Sequence, residues 1–141
     1  MLLAEDDQEL RWLIAHTLRG GGFDVIEVAD GLALLDHVGN SLLDSLELDA
    51  IDLIVTDVRM PGWSGLEVLA GLNSAGVPTP VVLITAFGDH EVHAAAKRLG
   101  AAAVLDKPFD LNELSTLAAR LLDPKTPATN RWNKPASRPK E

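Results

Sequence analysis

Apolar positions along the chain alternate between two periods. Short continuous runs at Met1–Glu5, Phe23–Val28, Ile51–Thr56, Val81–Thr85 and Ala102–Leu105 read as buried strands. Ile51–Thr56 is the most continuous β-branched run, as expected of a central strand covered on both faces. Between the runs, apolar residues recur at helical spacing. Gln8–Arg19 carries Leu10, Leu13, Ile14, Thr17 and Leu18, with Asp7 placed to cap it and Gly20-Gly21-Gly22 to end it. Leu32–Leu48 carries Leu34, Leu35, Val38, Leu42 and Leu46, with Gly39-Asn40 as an interruption. Ser64–Asn73, Asp89–Leu99 and Leu111–Leu122 are the remaining helices, the last capped by Asp110. Ala29-Asp30-Gly31 and Pro61-Gly62 are turn signals. Strand and helix alternate five times, which predicts an α/β domain with a parallel sheet between two helical layers.

Four of the strands end in residues suited to phosphoryl chemistry. The first runs into Glu5-Asp6-Asp7, the third into Asp57, the fourth into Thr85 and the fifth into Lys107-Pro108. In a parallel sheet these groups meet at the carboxyl edge, where open α/β sheets place their ligands. A carboxylate closing a run as apolar as Leu53-Ile54-Val55 is costly unless it is paired or metal-bound. It can also act as a nucleophile toward phosphorus. Glu5, Asp6 and Asp57 could supply oxygens to a magnesium ion, although acids at a helix N-terminus also satisfy the helix dipole without a metal. Lys107 would neutralise phosphoryl oxygens, and Thr85 could hydrogen-bond one of them. Taken singly, a loop lysine and a strand threonine are ordinary; the joint arrangement is not.

Composition narrows the class. At 141 residues with 47% apolar residues the chain has room for one globular domain. The net charge of −9 argues against phosphate-backbone binding by its body. Residues 123–141 differ in character. Lys125, Arg131, Lys134, Arg138 and Lys140 against Asp123 and Glu141 make this segment basic, and Pro124, Pro127, Pro135 and Pro139 punctuate it. It reads as a disordered basic tail or a truncated linker after a domain at 1–122. The absence of cysteine excludes disulfides and thiolate metal sites and fits a cytoplasmic location. No apolar stretch approaches the roughly 18 residues of a membrane span, and no leader pattern is present, so no membrane association is expected. The first strand begins at Met1 itself, as expected where residues upstream are missing or the start is misassigned.

The sequence resembles a response-regulator receiver domain of two-component signalling, of the CheY-like superfamily. The motifs that carry the resemblance are Ala4-Glu5-Asp6-Asp7, Asp57-Val58-Arg59-Met60-Pro61-Gly62, Ser64-Gly65-Leu66-Glu67, Thr85-Ala86 and Lys107-Pro108-Phe109, across roughly residues 1–122. The resemblance implies a flavodoxin-like doubly wound (βα)5 sandwich with strand order 2-1-3-4-5. It implies Asp57 as phospho-acceptor, and Glu5, Asp6, Asp57 and the Arg59 carbonyl around Mg2+, for which Mn2+ could substitute. Thr85 and Ala86 become the switch positions, Lys107 the phosphate contact, and the bond before Pro108 is expected to be cis. The implied donor is a sensor histidine kinase or a histidine phosphotransfer protein. The implied output runs through the fourth helix, fifth strand and fifth helix, which could also form a homodimer. The output partner or domain is unspecified, and nucleic acid enters only if an output domain lies outside this chain. Such a domain catalyses its own phosphorylation and dephosphorylation but is not a turnover enzyme.

Some positions depart from the family. Where it usually carries an aromatic, three residues before the lysine, this chain has Val104. Arg59 and Phe87 occupy the positions that tune phosphoryl lifetime, and a bulky Phe87 is expected to slow hydrolysis. The interval from Asp30 to Asp57 is long, with the excess around Ser41–Asp49 read as a surface insertion. Trp12 lies off the stripe of the first helix, one turn from His16, and the pair could help dock a phosphotransfer domain. His90 and His93 are spaced for a metal pair but lack a third ligand, so a solvated face is expected. Trp63 is expected to pack over the acceptor loop, and Trp132 falls in the tail. Three other functions fit the residues less well. An aspartyl-phosphate phosphatase commonly carries a second Asp two residues after its nucleophile, where this chain has Arg59. A nucleotide-binding domain needs its glycine-rich loop straight after the first strand, but Gly20-Gly21-Gly22 follows the first helix. A receiver-like module that binds without phosphorylation would not need the complete acceptor set.

Overall fold

The computed structural model describes residues 1–43, 51–86 and 88–123. In chain order these form β1 (Leu2–Ala4), α1 (Gln8–Gly20), β2 (Ile26–Val28), α2 (Gly31–Leu43), β3 (Ile54–Asp57), α3 (Gly65–Ser74), β4 (Val81–Ala86), α4 (His90–Arg98), β5 (Ala103–Lys107) and α5 (Leu111–Leu121). The strands make one parallel five-stranded sheet of order β2-β1-β3-β4-β5. This is the expected doubly wound order, and the change of winding direction at β1 and β3 opens a crevice at their carboxyl ends.

The period-2 alternation of each strand divides the core between the two faces of the sheet. Leu3, Val55, Val82 and Ile84 face α1 and α5, where they meet Ile14, Leu18, Leu114, Leu117 and Leu121. Leu2, Ile54, Val81 and Leu83 face the other way, against Leu34 and Val38 of α2, Val68 and Leu72 of α3, and Val92 and Ala96 of α4. With both faces covered, the strands read as unbroken apolar runs in the sequence.

Helix boundaries follow their caps. Asp7 accepts the Glu9 and Leu10 amides, and Asp110 accepts the Asn112 amide. Ser64 and Glu67 form a reciprocal capping box at α3. Three expectations need correction. The α2 helix continues through Gly39-Asn40 rather than breaking there. Leu13, placed on the buried stripe of α1, is 40% exposed; Ala15 is buried instead. β1, β2 and β3 also pair over shorter spans than the apolar runs suggest, whereas β4 and β5 continue to Ala86 and Lys107. Ile51 and Leu53 are buried but precede β3, where the Leu53 carbonyl accepts the Leu2 amide. The expectations for Asp49, Leu46, Phe87, Trp132 and the tail beyond Asp123 lie outside the described residues.

Candidate functional site

The carboxyl edge of the sheet gathers groups from four strands. Glu5 follows β1, Asp57 closes β3, Thr85 lies near the end of β4 and Lys107 closes β5. Glu5, Asp57 and Thr85 are 1%, 3% and 1% exposed, so this is a buried polar cluster in an apolar protein. Asp6 is exposed at its rim. One carboxylate oxygen from each of Glu5, Asp6 and Asp57 can lie within 4.8 Å of the others.

Asp57 is held from both sides. Its Oδ1 accepts the Arg59 amide at 3.0 Å, and its Oδ2 accepts from the Lys107 ammonium at 2.5 Å. The Lys107 Nζ also lies 3.8 Å from Glu5 Oε1. The loop after Asp57 is fixed by backbone bonds: the Val58 amide donates to the Ile84 carbonyl, and the Gly65 amide to the Val58 carbonyl, each at 2.9 Å. Gly65 permits this turn because a Cβ there would lie 2.6 Å from the Asp57 carbonyl oxygen. A side chain at the start of α3 would therefore push directly on the Asp57 backbone. The Lys107–Pro108 peptide bond is cis.

Electrostatics within the cluster are strained toward neutrality. Burial, reinforced by the adjacent Asp57, raises the Glu5 carboxyl from 4.5 to about 8, although the Asp7 amide bonded to its Oε2 favours the charged form. For Lys107, burial works to lower the ammonium. Asp57, Glu5 and Asp6 outweigh that and hold it above its ordinary value. Two buried oxygens, Glu5 Oε1 and Thr85 Oγ1, have no hydrogen-bond partner among the described residues. Buried polar atoms are nearly always paired, so an unpaired carboxylate oxygen and an unpaired hydroxyl at the same edge of the sheet point to a ligand.

The other singled-out residues are placed as follows. Ala86 ends β4 at the surface, in register with Lys107. Val104 is partly buried against the α2–α3–α4 side of the core. Trp63 is 46% exposed, and its carbonyl and Cβ lie against Gly31, at the start of α2. Trp12 stacks on His16 with ring centroids 4.8 Å apart and stays 55% exposed. His93 is not simply solvated: its Nε2 lies 2.7 Å from Asp106 Oδ1, joining α4 to β5. That contact, and an ion pair between Arg59 and Asp89, were invisible to sequence reasoning because neither follows from helical or strand periodicity.

Residues 1–119 match the model of the response regulator receiver domain. This chain belongs to that family. Among curated relatives, the receiver domain is 41% identical over 106 residues to the transcriptional regulatory protein FixJ of Azorhizobium caulinodans, covering 75% of this chain and 46% of that protein. It is 38% identical over 122 residues to the transcriptional regulatory protein TctD of Salmonella typhimurium, covering 86% and 51%. It is 31% identical over 120 residues to the DNA-binding transcriptional regulator NtrC of Klebsiella pneumoniae, covering 85% and 24%. The chain thus spans between about a quarter and a half of the length of these relatives. Among solved structures, the receiver domain of NtrX from Brucella abortus superposes with a TM-score of 0.75 at 26% identity, covering 88% of this chain and 98% of that one. Among the described residues, no helix is long and apolar enough to cross a membrane.

Proposed function

We propose that this receiver domain is a phosphorylation-dependent signalling switch in a two-component or phosphorelay system, with Asp57 as its phospho-acceptor. The observation that carries the reading is the buried Asp57 carboxylate, gripped by Lys107 at 2.5 Å beside two further acids and an unpartnered threonine hydroxyl. An Asp57 oxygen attacks the phosphorus of a phosphohistidine on the donor; the P–N bond breaks and the imidazole leaves. Lys107 follows the charge onto the phosphoryl oxygens, and Thr85 donates its free hydroxyl to one of them. The added charge of about −2 is the signal that the fold must answer.

The acidic trio fits a hard divalent cation. Its donors are all oxygen, one of them is a buried carboxylate oxygen without a hydrogen-bond partner among the described residues, and burial, reinforced by Asp57, has already driven Glu5 toward protonation. Glu5, Asp6 and Asp57, with the Arg59 carbonyl, would hold Mg2+ or Mn2+, which when bound supplies charge neutralisation for the carboxylates and the transferred group. The same chain's residues then assist hydrolysis of the acyl phosphate without making the domain a turnover enzyme.

The donor is a histidine kinase or histidine phosphotransfer protein, and the exposed Trp12–His16 stack on α1 is a candidate contact for it. The face formed by α4, β5 and α5 carries the output, to a partner or to a domain joined through residues 123–141, as the greater length of the relatives suggests. A cytoplasmic location follows from that role. Incubation with acetyl phosphate and Mg2+, read by intact mass, tests the assignment. Wild type gains one phosphoryl group of about 80 Da, and Asp57→Asn gains none. Labelling that survives the substitution defeats it.

A further inference from the structure

Helix α4 is tied to the acceptor loop by a single carboxylate with two duties. Asp89 Oδ1 accepts the Val92 amide at 3.2 Å as the cap of α4, while its Oδ2 lies 3.3 Å from Arg59 Nη2. The Arg59 amide, in turn, donates to Asp57 Oδ1 at 3.0 Å. Asp57, Arg59 and Asp89 therefore form a continuous chain from the acceptor to the first turn of α4. Arg59 also lines a cavity of about 570 Å3, shared with Asp6 and Val92, that borders the site.

The Arg59–Asp89 pair is built to be exchanged. The Arg59 side chain is 76% exposed, and pairs of that kind are weak. A phosphoryl group on Asp57 would carry about twice the charge of Asp89 and three acceptor oxygens, a better match for the planar fork of a guanidinium. Asp89 would then keep its cap but lose its tether. We infer that phosphorylation of Asp57 transfers the Arg59 guanidinium from Asp89 to the phosphoryl oxygens, so that Asp89 is a positioning residue which holds α4 in its resting placement until that exchange occurs. The inference rests on Asp57 being the acceptor. It supplies a route from the site to α4 that does not need an aromatic at Val104.

Amide hydrogen exchange of the first turn of α4, residues 90–93, tests it on samples whose phosphoryl content is read by intact mass. In wild type, phosphorylation speeds exchange there by about two- to fivefold, the factor that loss of a surface ion pair corresponds to. Asp89→Asn keeps a capping oxygen but weakens the tether. Unphosphorylated Asp89→Asn already exchanges at the faster rate, and phosphorylation adds little. Arg59→Gln molecules that carry the phosphoryl group show the same rates as those that do not. The inference is overturned if phosphorylated wild type keeps the resting exchange rates, or if Asp89→Asn responds as wild type does. Failure of wild type to gain any phosphoryl mass removes the acceptor assignment, and this inference with it.

Discussion

The two halves of the site are held by different kinds of bond. On the β1–β3 side, backbone groups do the holding: the Glu5 amide bonds the Val28 carbonyl, the Val58 amide bonds Ile84, and the Gly65 amide bonds Val58. On the β4–β5 side a backbone ladder pairs the strands, but side chains tie α4 down. Thr85 has a buried hydroxyl without a partner among the described residues, and the first turn of α4 is pinned through Arg59–Asp89 at its cap and through His93–Asp106 beside it. Backbone bonds of the first kind persist as long as the sheet does. Exposed side-chain pairs contribute about 0–1 kcal/mol each, so a new charge nearby can outbid them. The half that holds Asp57 is braced, and the half that holds α4 is loosely held.

Lys107 spans the two halves, and its loss has the largest expected effect. Lys107→Ala removes the cation that neutralises the acceptor, and the initial rate of phosphoryl gain from acetyl phosphate is expected to fall by about 10²-fold or more, as for loss of one transition-state donor. Time-resolved intact mass measures this, and a drop of less than about tenfold would move the charge clamp elsewhere.

The braced half is challenged most directly at Gly65. Gly65→Ala places a Cβ 2.6 Å from the Asp57 carbonyl oxygen and 3.0 Å from the Val58 Cα. Both contacts are backbone, which cannot swing aside as a side chain would. A loss of about 1–3 kcal/mol in unfolding free energy is expected from denaturant titration, together with slower phosphoryl uptake. Unchanged stability would mean that the loop is less rigid than its hydrogen bonds imply.

Glu5 gives the comparison a pH axis. Its folded-state value of about 8 lies above the ordinary 4.5, so between those values the folded state binds more protons than the unfolded state. Its contribution to stability is fully present below the lower value and is lost as pH rises through the upper one. Without divalent ions, the Tm of wild type is therefore expected to fall relative to that of Glu5→Gln as pH is raised from 5 to 8. Added Mg2+ should reduce the difference, because a bound cation favours the ionised carboxylate. Parallel Tm profiles for the two proteins would contradict the assignment of the raised value to Glu5.

Thr85 carries the smallest stability effect and the sharpest contrast. Thr85→Val removes a hydroxyl with no partner, so resting stability should stay within about 0.5 kcal/mol of wild type or rise slightly. Phosphorylated Thr85→Val should nevertheless be less stable than phosphorylated wild type, because the phosphoryl oxygen that the hydroxyl would meet is left without that donor. Destabilisation of the resting state by more than about 1 kcal/mol would show that the hydroxyl is already engaged at rest.

The strand ends of both halves were the most legible part of the site in sequence. Parallel strands covered on both sides announce themselves as apolar runs, so Glu5, Asp57, Thr85 and Lys107 stood out as polar residues at their ends. The alternation of strands and helices indicated a parallel sheet, and the motifs specified its order. The ties that hold α4 were harder to read. Asp89, at the start of a helical pattern, acts as that helix's cap and as an ion-pair partner of Arg59 across 30 residues of sequence. His93 and Asp106 meet only because α4 packs beside β5, and nothing in the local pattern of either segment signals it. Leu13 failed for a related reason: a stripe of period 3.6 says which side of a helix is apolar, but the neighbouring elements decide how far around it burial extends.

The parallel sheet has one further consequence, for the timing of synthesis. Asp57 lies 50 residues before the lysine that grips it, and that lysine belongs to the last strand of the sheet. A ribosome that has just delivered β3 has made a carboxylate with no ammonium beside it and no β4 hydroxyl above it. Truncated or half-folded copies therefore lack the complete cluster, and the phosphoryl uptake proposed above is confined to molecules whose fifth strand has been added to the sheet.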